Sequence, residues 1–214
     1  MRIIFMGTPD FAVGPLEFLL KAGHEILCVV TQPDKPKNRG KKVQPTPVKE
    51  AALKFGLEVV QPETIKGNQE FADYIKGLDA DLAVVAAYGK ILPKEILEAP
   101  KMGCVNIHAS LLPAYRGSAP YQWAVLDGCK ETGVSAQYMA LKMDAGAVID
   151  VAKTPIGENE TAGELLDRLA VIGAQLLEKT LSRMEKGDVE RTPQDSTKAT
   201  QNAAGPIGMR ADQA

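Results

Sequence analysis

The chain has 214 residues, 45% apolar and 24% charged, with a net charge of −2, the balance of a soluble globular protein and long enough to bury about 70% of its unfolded surface without a staple. No apolar run approaches the ~20 residues of a membrane span, and the short run at Arg2–Met6 lacks the length and cleavage site of a signal peptide. Cys28, Cys104 and Cys129 form no C-x-x-C pair, so neither a zinc site nor a disulfide framework is indicated, and a reducing cytoplasm is the simplest setting.

The chain alternates strand-like and helix-like stretches. Arg2–Met6 reads as a strand broken by Gly7-Thr8-Pro9-Asp10, and Phe11–Ala22 as an amphipathic helix stopped by Gly23. His24 reads as a surface residue. A strand follows at Ile26–Val30, a helix at Pro47–Phe55, a short strand at Leu57–Val60 and a short helix at Phe71–Lys76. Leu82–Ala87 is unbroken apolar sequence, as in a strand covered on both faces. A helical turn is expected at Lys94–Leu97, a strand at Gly103–Ile107, a helix at Ala119–Leu126, and strands at Val134–Met139 and Val148–Ile156. Thr161–Glu185 is the clearest helix: Thr161 and Glu164 have capping-box spacing, and Leu165, Leu169, Ile172, Leu176, Leu181 and Met184 fall on one stripe. No catalytic signal stands out in it.

Strands separated by helices predict an α/β fold, an open and mainly parallel sheet with flanking helices. Ligands in such sheets sit at the carboxyl ends of the strands, which directs attention to loops 7–11, 31–46, 88–93 and 108–118. From Thr192 onward the only large aliphatic residues are Ile207 and Met209, too little burial to offset ordering entropy. The predicted organisation is a catalytic domain over 1–190 and an unstructured tail or linker over 191–214.

Charge is uneven. Lys35, Lys37, Arg39, Lys41, Lys42 and Lys49 occur with no acid between residues 35 and 49, a local +6 that leaves −8 for the rest of a chain of net −2. With Gly40 inside the cluster and Pro33, Pro36, Pro45 and Pro47 around it, the segment reads as a mobile loop on stiff flanks, suited to phosphates.

The densest chemistry lies in Gly103–Pro113. On a strand ending near Ile107, side chains alternate with period two, so Asn106 and His108 share a face at the carboxyl end. Asp144, beside Gly146 in a loop between two strands, is the nearest candidate acid. An amide, an imidazole and a carboxylate together suit attack of an amine on a carbonyl. Amide and imidazolium donors stabilise the oxyanion, each by about 3 kcal/mol when preorganised, and the carboxylate charges or orients the imidazole while the amine loses its proton. On its own, an Asn-x-His at a strand end is also what a hydrogen-bonded loop anchor looks like. No G-x-G-x-x-G follows the first strand, and there is no P-loop or G-x-S-x-G elbow. Two distant histidines and no cysteine cluster predict no metal.

Six segments carry a resemblance: Gly7–Phe11, Thr31–Pro36 with Arg39–Lys42 and Pro45–Lys49, Ala87–Pro93, Asn106–Pro113, Arg116–Pro120 and Met143–Gly146. Through them, from residue 1 to about 200, the chain resembles the 10-formyltetrahydrofolate-dependent formyltransferases. Its opening Gly-Thr-Pro-Asp-Phe and its Arg-Gly-Lys-Lys loop resemble the members that act on tRNA. The resemblance implies a Rossmann-like sheet and transfer of a formyl group from 10-formyltetrahydrofolate, as co-substrate, to the α-amino group of methionyl initiator tRNA. It implies Asn106, His108 and Asp144 as catalytic residues. It places Ser110, Leu111, Leu112 and Pro113, with Tyr88, Gly89, Ile91 and Leu92, around the folate, and assigns Arg39, Gly40, Lys41 and Lys42 to the tRNA. A cytoplasmic monomer with no membrane partner is expected, and so is the lack of the second, β-barrel domain of the family. The tRNA-acting members usually carry Asp-x-Gly-Asp, whereas this chain has Ala147 at the last position. That detail resembles the branch acting on nucleotide-linked amino sugars, the alternative acceptor. A folate-binding remnant without turnover is the third reading.

Overall fold

The computed structural model describes residues 1–37 and 42–200. Nine strands and six α-helices are described: β1 (Arg2–Gly7), α1 (Val13–Lys21), β2 (Glu25–Val30), β3 (Lys35–Lys37), β4 (Lys42–Gln44), α2 (Pro47–Lys54), β5 (Val59–Val60), α3 (Gln69–Gly77), β6 (Leu82–Ala86), α4 (Lys94–Leu97), β7 (Cys104–His108), α5 (Pro120–Leu126), β8 (Glu131–Tyr138), β9 (Val148–Pro155) and α6 (Ala162–Glu185). Seven of the strands form one sheet in the order β5-β2-β1-β6-β7-β8-β9. The first five in that order run parallel, while β8 and β9 are antiparallel. The segment between β8 and β9 is too short for the helical crossover that parallel neighbours need, so β9 folds straight back.

Two cores follow from the alternation of side chains. Ile3, Phe5, Val84, Val105 and Val134 pack on one face with α1, α2 and α6, and Ile4, Met6, Val30, Val85 and Cys104 pack on the other with α3 and α4. All five residues of β6 are buried, as its unbroken apolar run requires. The capping box of α6 forms as expected, offsetting about 1 kcal/mol of unsatisfied helix-end amides. Gly173 lets α6 approach the sheet closely, since a Cβ there would lie 3.1 Å from Ile107 Cγ2.

Strand order reverses beside β1: the chain moves outward to β2 and β5, then crosses to β6 on the other side. This switch point leaves a crevice over the carboxyl ends of β1 and β6, with β7 next in line.

Three regions differ from the sequence expectation. The flanks of the basic segment pair as a hairpin, with Lys37 opposite Lys42. Its base is tied by Lys49 Nζ, 2.6 Å from Asp34 Oδ2, and by Gln61 Nε2, which donates to Asp34 Oδ1 at 2.7 Å. Arg39, Gly40 and Lys41 lie outside the described residues, and of Lys42 only the backbone is described. His24 is also not a free surface residue: its ring lies 3.2 Å from the N-terminal amine and its side chain is 10% exposed.

The third difference concerns the expected tail. Over 192–200 the chain is tied to the fold. Thr192 exchanges two backbone hydrogen bonds with Val148, and Thr200 bonds the 113–116 segment three times. Aliphatic content misses this order because the contacts are polar. Residues 201–214 lie outside the described part of the chain.

Candidate active site

A cavity of about 620 Å³ opens over the carboxyl ends of β1, β6 and β7, within the size range of small-ligand sites. Pro9 and Phe11 after β1, Ala87–Leu92 after β6, and Asn106–Ala109 from β7 form its inner wall, and Gly117–Tyr121 and Met139–Leu141 with Met143 and Asp144 complete it. Loops 7–11, 88–93 and 108–118 therefore contribute as expected, but no described residue of 31–46 lines the wall. Leu166 of α6 does, a residue outside the stripe that the helix pattern marked.

The three candidates from the sequence meet here. Asn106 is 8% exposed, lines the cavity, and its amide has no hydrogen-bond partner among the described residues. His108 is 7% exposed, and its Nε2 lies 2.9 Å from the carbonyl oxygen of Tyr115. A carbonyl only accepts, so Nε2 carries a proton and Nδ1 is the nitrogen left to exchange one. Nδ1 lies 3.8 Å from Asp144 Oδ2, an ion-pair distance longer than a hydrogen bond. The Asp144 carboxylate accepts from the Gly117 amide at 2.8 Å and from Gln137 Nε2 at 3.1 Å.

Local backbone follows from these demands. Of the five non-glycine residues at positive φ among the described residues, Ala87, Ala119 and Asp144 line the cavity, and Tyr115 holds His108. Each left-handed residue costs about 1 kcal/mol, and such strain collects where side chains must be aimed. Gly146 is needed for close approach, because a Cβ there would sit 1.7 Å from the Tyr138 carbonyl oxygen. The wall loop after β6 is held through the Tyr88 carbonyl, which accepts from Thr8 Oγ1 at 3.0 Å and Gln32 Nε2 at 2.9 Å.

The remaining candidates divide. Tyr88, Gly89, Ile91 and Leu92 line the cavity. Ser110, Leu111, Leu112 and Pro113 do not. The Ser110 hydroxyl donates to Ala114 O at 2.6 Å, the Leu112 amide donates to Ser135 Oγ at 3.0 Å, and Leu111 packs toward Gly133. The polar groups of this turn are committed to bonds within the fold. The rim is apolar, with Ile91, Leu141 and Met143 exposed.

Reading the sequence missed Gln137, Gln194 and the roles of Tyr115 and Arg116. Gln137 is the cross-strand neighbour of Asn106, a pairing invisible before register is known. Gln194 sits in the segment read as tail, and no local pattern marks it.

A cavity at the switch point of an open, mainly parallel sheet, walled by an amide, an imidazole and a carboxylate, is the architecture of α/β enzymes that bind a small ligand at their strand ends. Residues 1–181 match the formyl transferase family, and the chain belongs to it. It is 50% identical over 200 residues to a methionyl-tRNA formyltransferase of Sulfurihydrogenibium sp. (strain YO3AOP1), covering 94% of this chain and 64% of that relative's length. The fold is shared with glycinamide ribonucleotide transformylase 1 from Symbiobacterium toebii, at TM-score 0.74 and 20% identity over 91% of this chain and 93% of that one. It is also shared with an N-formyltransferase from Helicobacter canadensis in complex with folinic acid and dTDP-3-aminofucose, at TM-score 0.69 and 20% identity over 95% of this chain and 71% of that one. Among the described residues, no helix is long and apolar enough to cross a membrane.

Proposed function

We propose that this chain carries the catalytic site of a methionyl-tRNA formyltransferase, acting in the cytoplasm. It moves the formyl group of 10-formyltetrahydrofolate to the α-amino group of methionyl initiator tRNA. The observation that carries the reading is the convergence of Asn106, His108 and Asp144 on one cavity, with Nε2 of His108 committed to Tyr115 and Nδ1 directed at Asp144. The similarity to methionyl-tRNA formyltransferases supports the acceptor, and the folinic acid named with the Helicobacter canadensis enzyme supports the donor class.

In this reading the amine nitrogen attacks the formyl carbon. A C–N bond forms, and the carbonyl electron pair moves onto oxygen. Asn106 Nδ2 and protonated His108 Nδ1 donate to that oxyanion, and Asp144 stabilises the imidazolium. When the intermediate collapses, the bond to N10 of the folate breaks. N10 takes up a proton in place of the formyl group, and the amine gives one up, so the proton count balances. Tyr88, Gly89, Ile91 and Leu92 pack on the folate ring system. The apolar rim of Ile91, Leu141 and Met143 suits a thioether side chain better than a hydroxyl-rich sugar, which would leave its polar groups against hydrocarbon. Arg39, Lys41 and Lys42 supply phosphate contacts to the tRNA.

The test is formyl transfer by the purified chain with 10-formyltetrahydrofolate and charged initiator tRNA, alongside a nucleotide-linked amino sugar and a His108→Ala control. Product on the tRNA that disappears in the variant supports the reading. Product on the sugar alone overturns the acceptor, and folate binding with no product on either acceptor overturns the claim of turnover by this chain.

A further inference from the structure

Gln194 lies at the centre of a network that the reaction scheme above does not use. Its Oε1 accepts from Arg116 Nη2 at 2.7 Å and Nε at 3.1 Å, and Arg116 is itself 5% exposed. Arginine only donates, so the orientation of the Gln194 amide is settled: Nε2 faces the other way. There it donates to the carbonyl of Asp144 at 2.8 Å and the carbonyl of Gly146 at 2.7 Å, with Gln137 Oε1 at 3.2 Å. One amide thus clamps two carbonyls on the C-terminal side of Asp144, the residue held at φ 48°, and lies beside the Gln137 side chain that bonds the Asp144 carboxylate.

The segment around Gln194 is anchored at both ends. The Arg191 guanidinium lies 4.0 Å from the centroid of the Tyr138 ring, and Thr192 bridges to Val148. Thr200 accepts the Tyr115 amide on Oγ1 at 2.7 Å and the Arg116 amide on its carbonyl at 2.9 Å. The 115–117 segment it secures supplies the carbonyl that fixes His108 and the amide that fixes Asp144. Both halves of the candidate pair are therefore referred to one polar strap that crosses from the β8–β9 connection to the loop after β7.

We infer that Gln194 is a positioning residue, which sets the orientation of the Asp144 carboxylate toward His108 by clamping the carbonyls of Asp144 and Gly146. The inference rests on the reading of His108 and Asp144 as the reacting pair. It adds a residue outside the motif block, between the Thr192 bridge and the 3-10 turn at Ser196–Lys198.

Two substitutions separate the arms of the clamp. Gln194→Ala removes both. Gln194→Glu keeps an oxygen for Arg116 but places an acceptor against two carbonyls, so only the Asp144 arm is lost. Both variants of the 214-residue chain are compared with wild type and Asp144→Asn in steady-state formyl transfer. The amide resonance of Gly117 and the ring resonances of His108 are followed in parallel by NMR. With only two histidines in the chain, His24 serves as the internal control for an intact fold.

A displacement of about 1 Å at a reacting group costs on the order of 10²-fold in rate. Both Gln194 variants are therefore expected to lose about 30- to 100-fold in kcat, with KM for the folate donor unchanged within about threefold. The Gly117 and His108 resonances move and those of His24 stay. Wild-type kcat in Gln194→Glu, or unmoved Gly117 and His108 resonances in Gln194→Ala, overturns the inference. Full activity in Asp144→Asn instead overturns the functional reading, and the resonances still decide whether Gln194 sets Asp144.

Discussion

Replacing Asp144 by Asn tests the electrostatic role of the carboxylate with little change of shape. The carboxylate lies 3.8 Å from His108 Nδ1 and its side chain is 13% exposed. At an effective dielectric constant of about 20, a unit charge at that distance stabilises an imidazolium by about 4 kcal/mol, or about 10³-fold in the rate of a step that needs the charged ring. The substitution also breaks one of two hydrogen bonds. Gly117 N–H and Gln137 Nε2 both donate to the carboxylate, and an amide offers one acceptor oxygen and turns N–H toward the other donor. That mismatch costs a further 1–3 kcal/mol, roughly, in stability. The expected phenotype is a fall in kcat of about 10³-fold with folate binding retained. The assay is single-turnover formyl transfer at saturating donor, with a folate analogue titrated by fluorescence as the binding control. A kcat within tenfold of wild type would refute the idea that a charged Asp144–His108 pair forms in the transition state.

Three further outcomes are expected. Gly146→Ala puts a Cβ 1.7 Å from the Tyr138 carbonyl, so the Asp144 loop must shift; kcat drops on the order of 10²-fold and stability falls by about 1–3 kcal/mol, measured by kinetics and urea denaturation, and an unchanged enzyme would show that the loop gives way freely. The Lys49 ammonium and then the Gln61 amide hold the Asp34 carboxyl below its ordinary value of 3.8. A depressed folded-state value means the stabilisation is complete above that ordinary value and lost as pH falls through the folded one. The melting-temperature gap between wild type and Asp34→Asn should therefore close in strong acid, and a gap independent of pH contradicts the pairing. Burial pushes the Cys28 and Cys104 thiols up to about 12, while Cys129 is only partly buried. In the folded protein, iodoacetamide at about pH 8 should therefore label Cys129 alone, as read by mass spectrometry. Labelling of either buried thiol before unfolding would contradict the packing of both strands.

Alternation of apolar and polar residues determines local structure directly, because it is a property of neighbours along the chain. The strand at Leu82–Ala86, the capped helix at Ala162–Glu185 and the shared face of Asn106 and His108 were legible for that reason. Glycine and proline marked most element ends. The pairing of β3 with β4 was not legible, since Pro36 interrupts any strand pattern and the hairpin owes its base to Asp34, Lys49 and Gln61. The resemblance to the formyl transferase family was likewise legible in short contiguous blocks, and residues 1–181 match that family.

What the chain alone determines is thus the set of elements, the cluster of chemistry-bearing residue types and the family. Only the tertiary structure decides which of them meet. Sheet register places Gln137 beside Asn106, and the switch in strand order opens the cavity between β1 and β6. The turn at Ser110–Pro113 does not line that cavity, and its Ser110 hydroxyl and Leu112 amide are bonded elsewhere. Gln194 reaches a site 50 residues back along the chain. That contact is made by hydrogen bonds between polar groups, which follow no periodicity and leave no trace in composition. They become visible only when the backbone has brought donor and acceptor within about 3 Å.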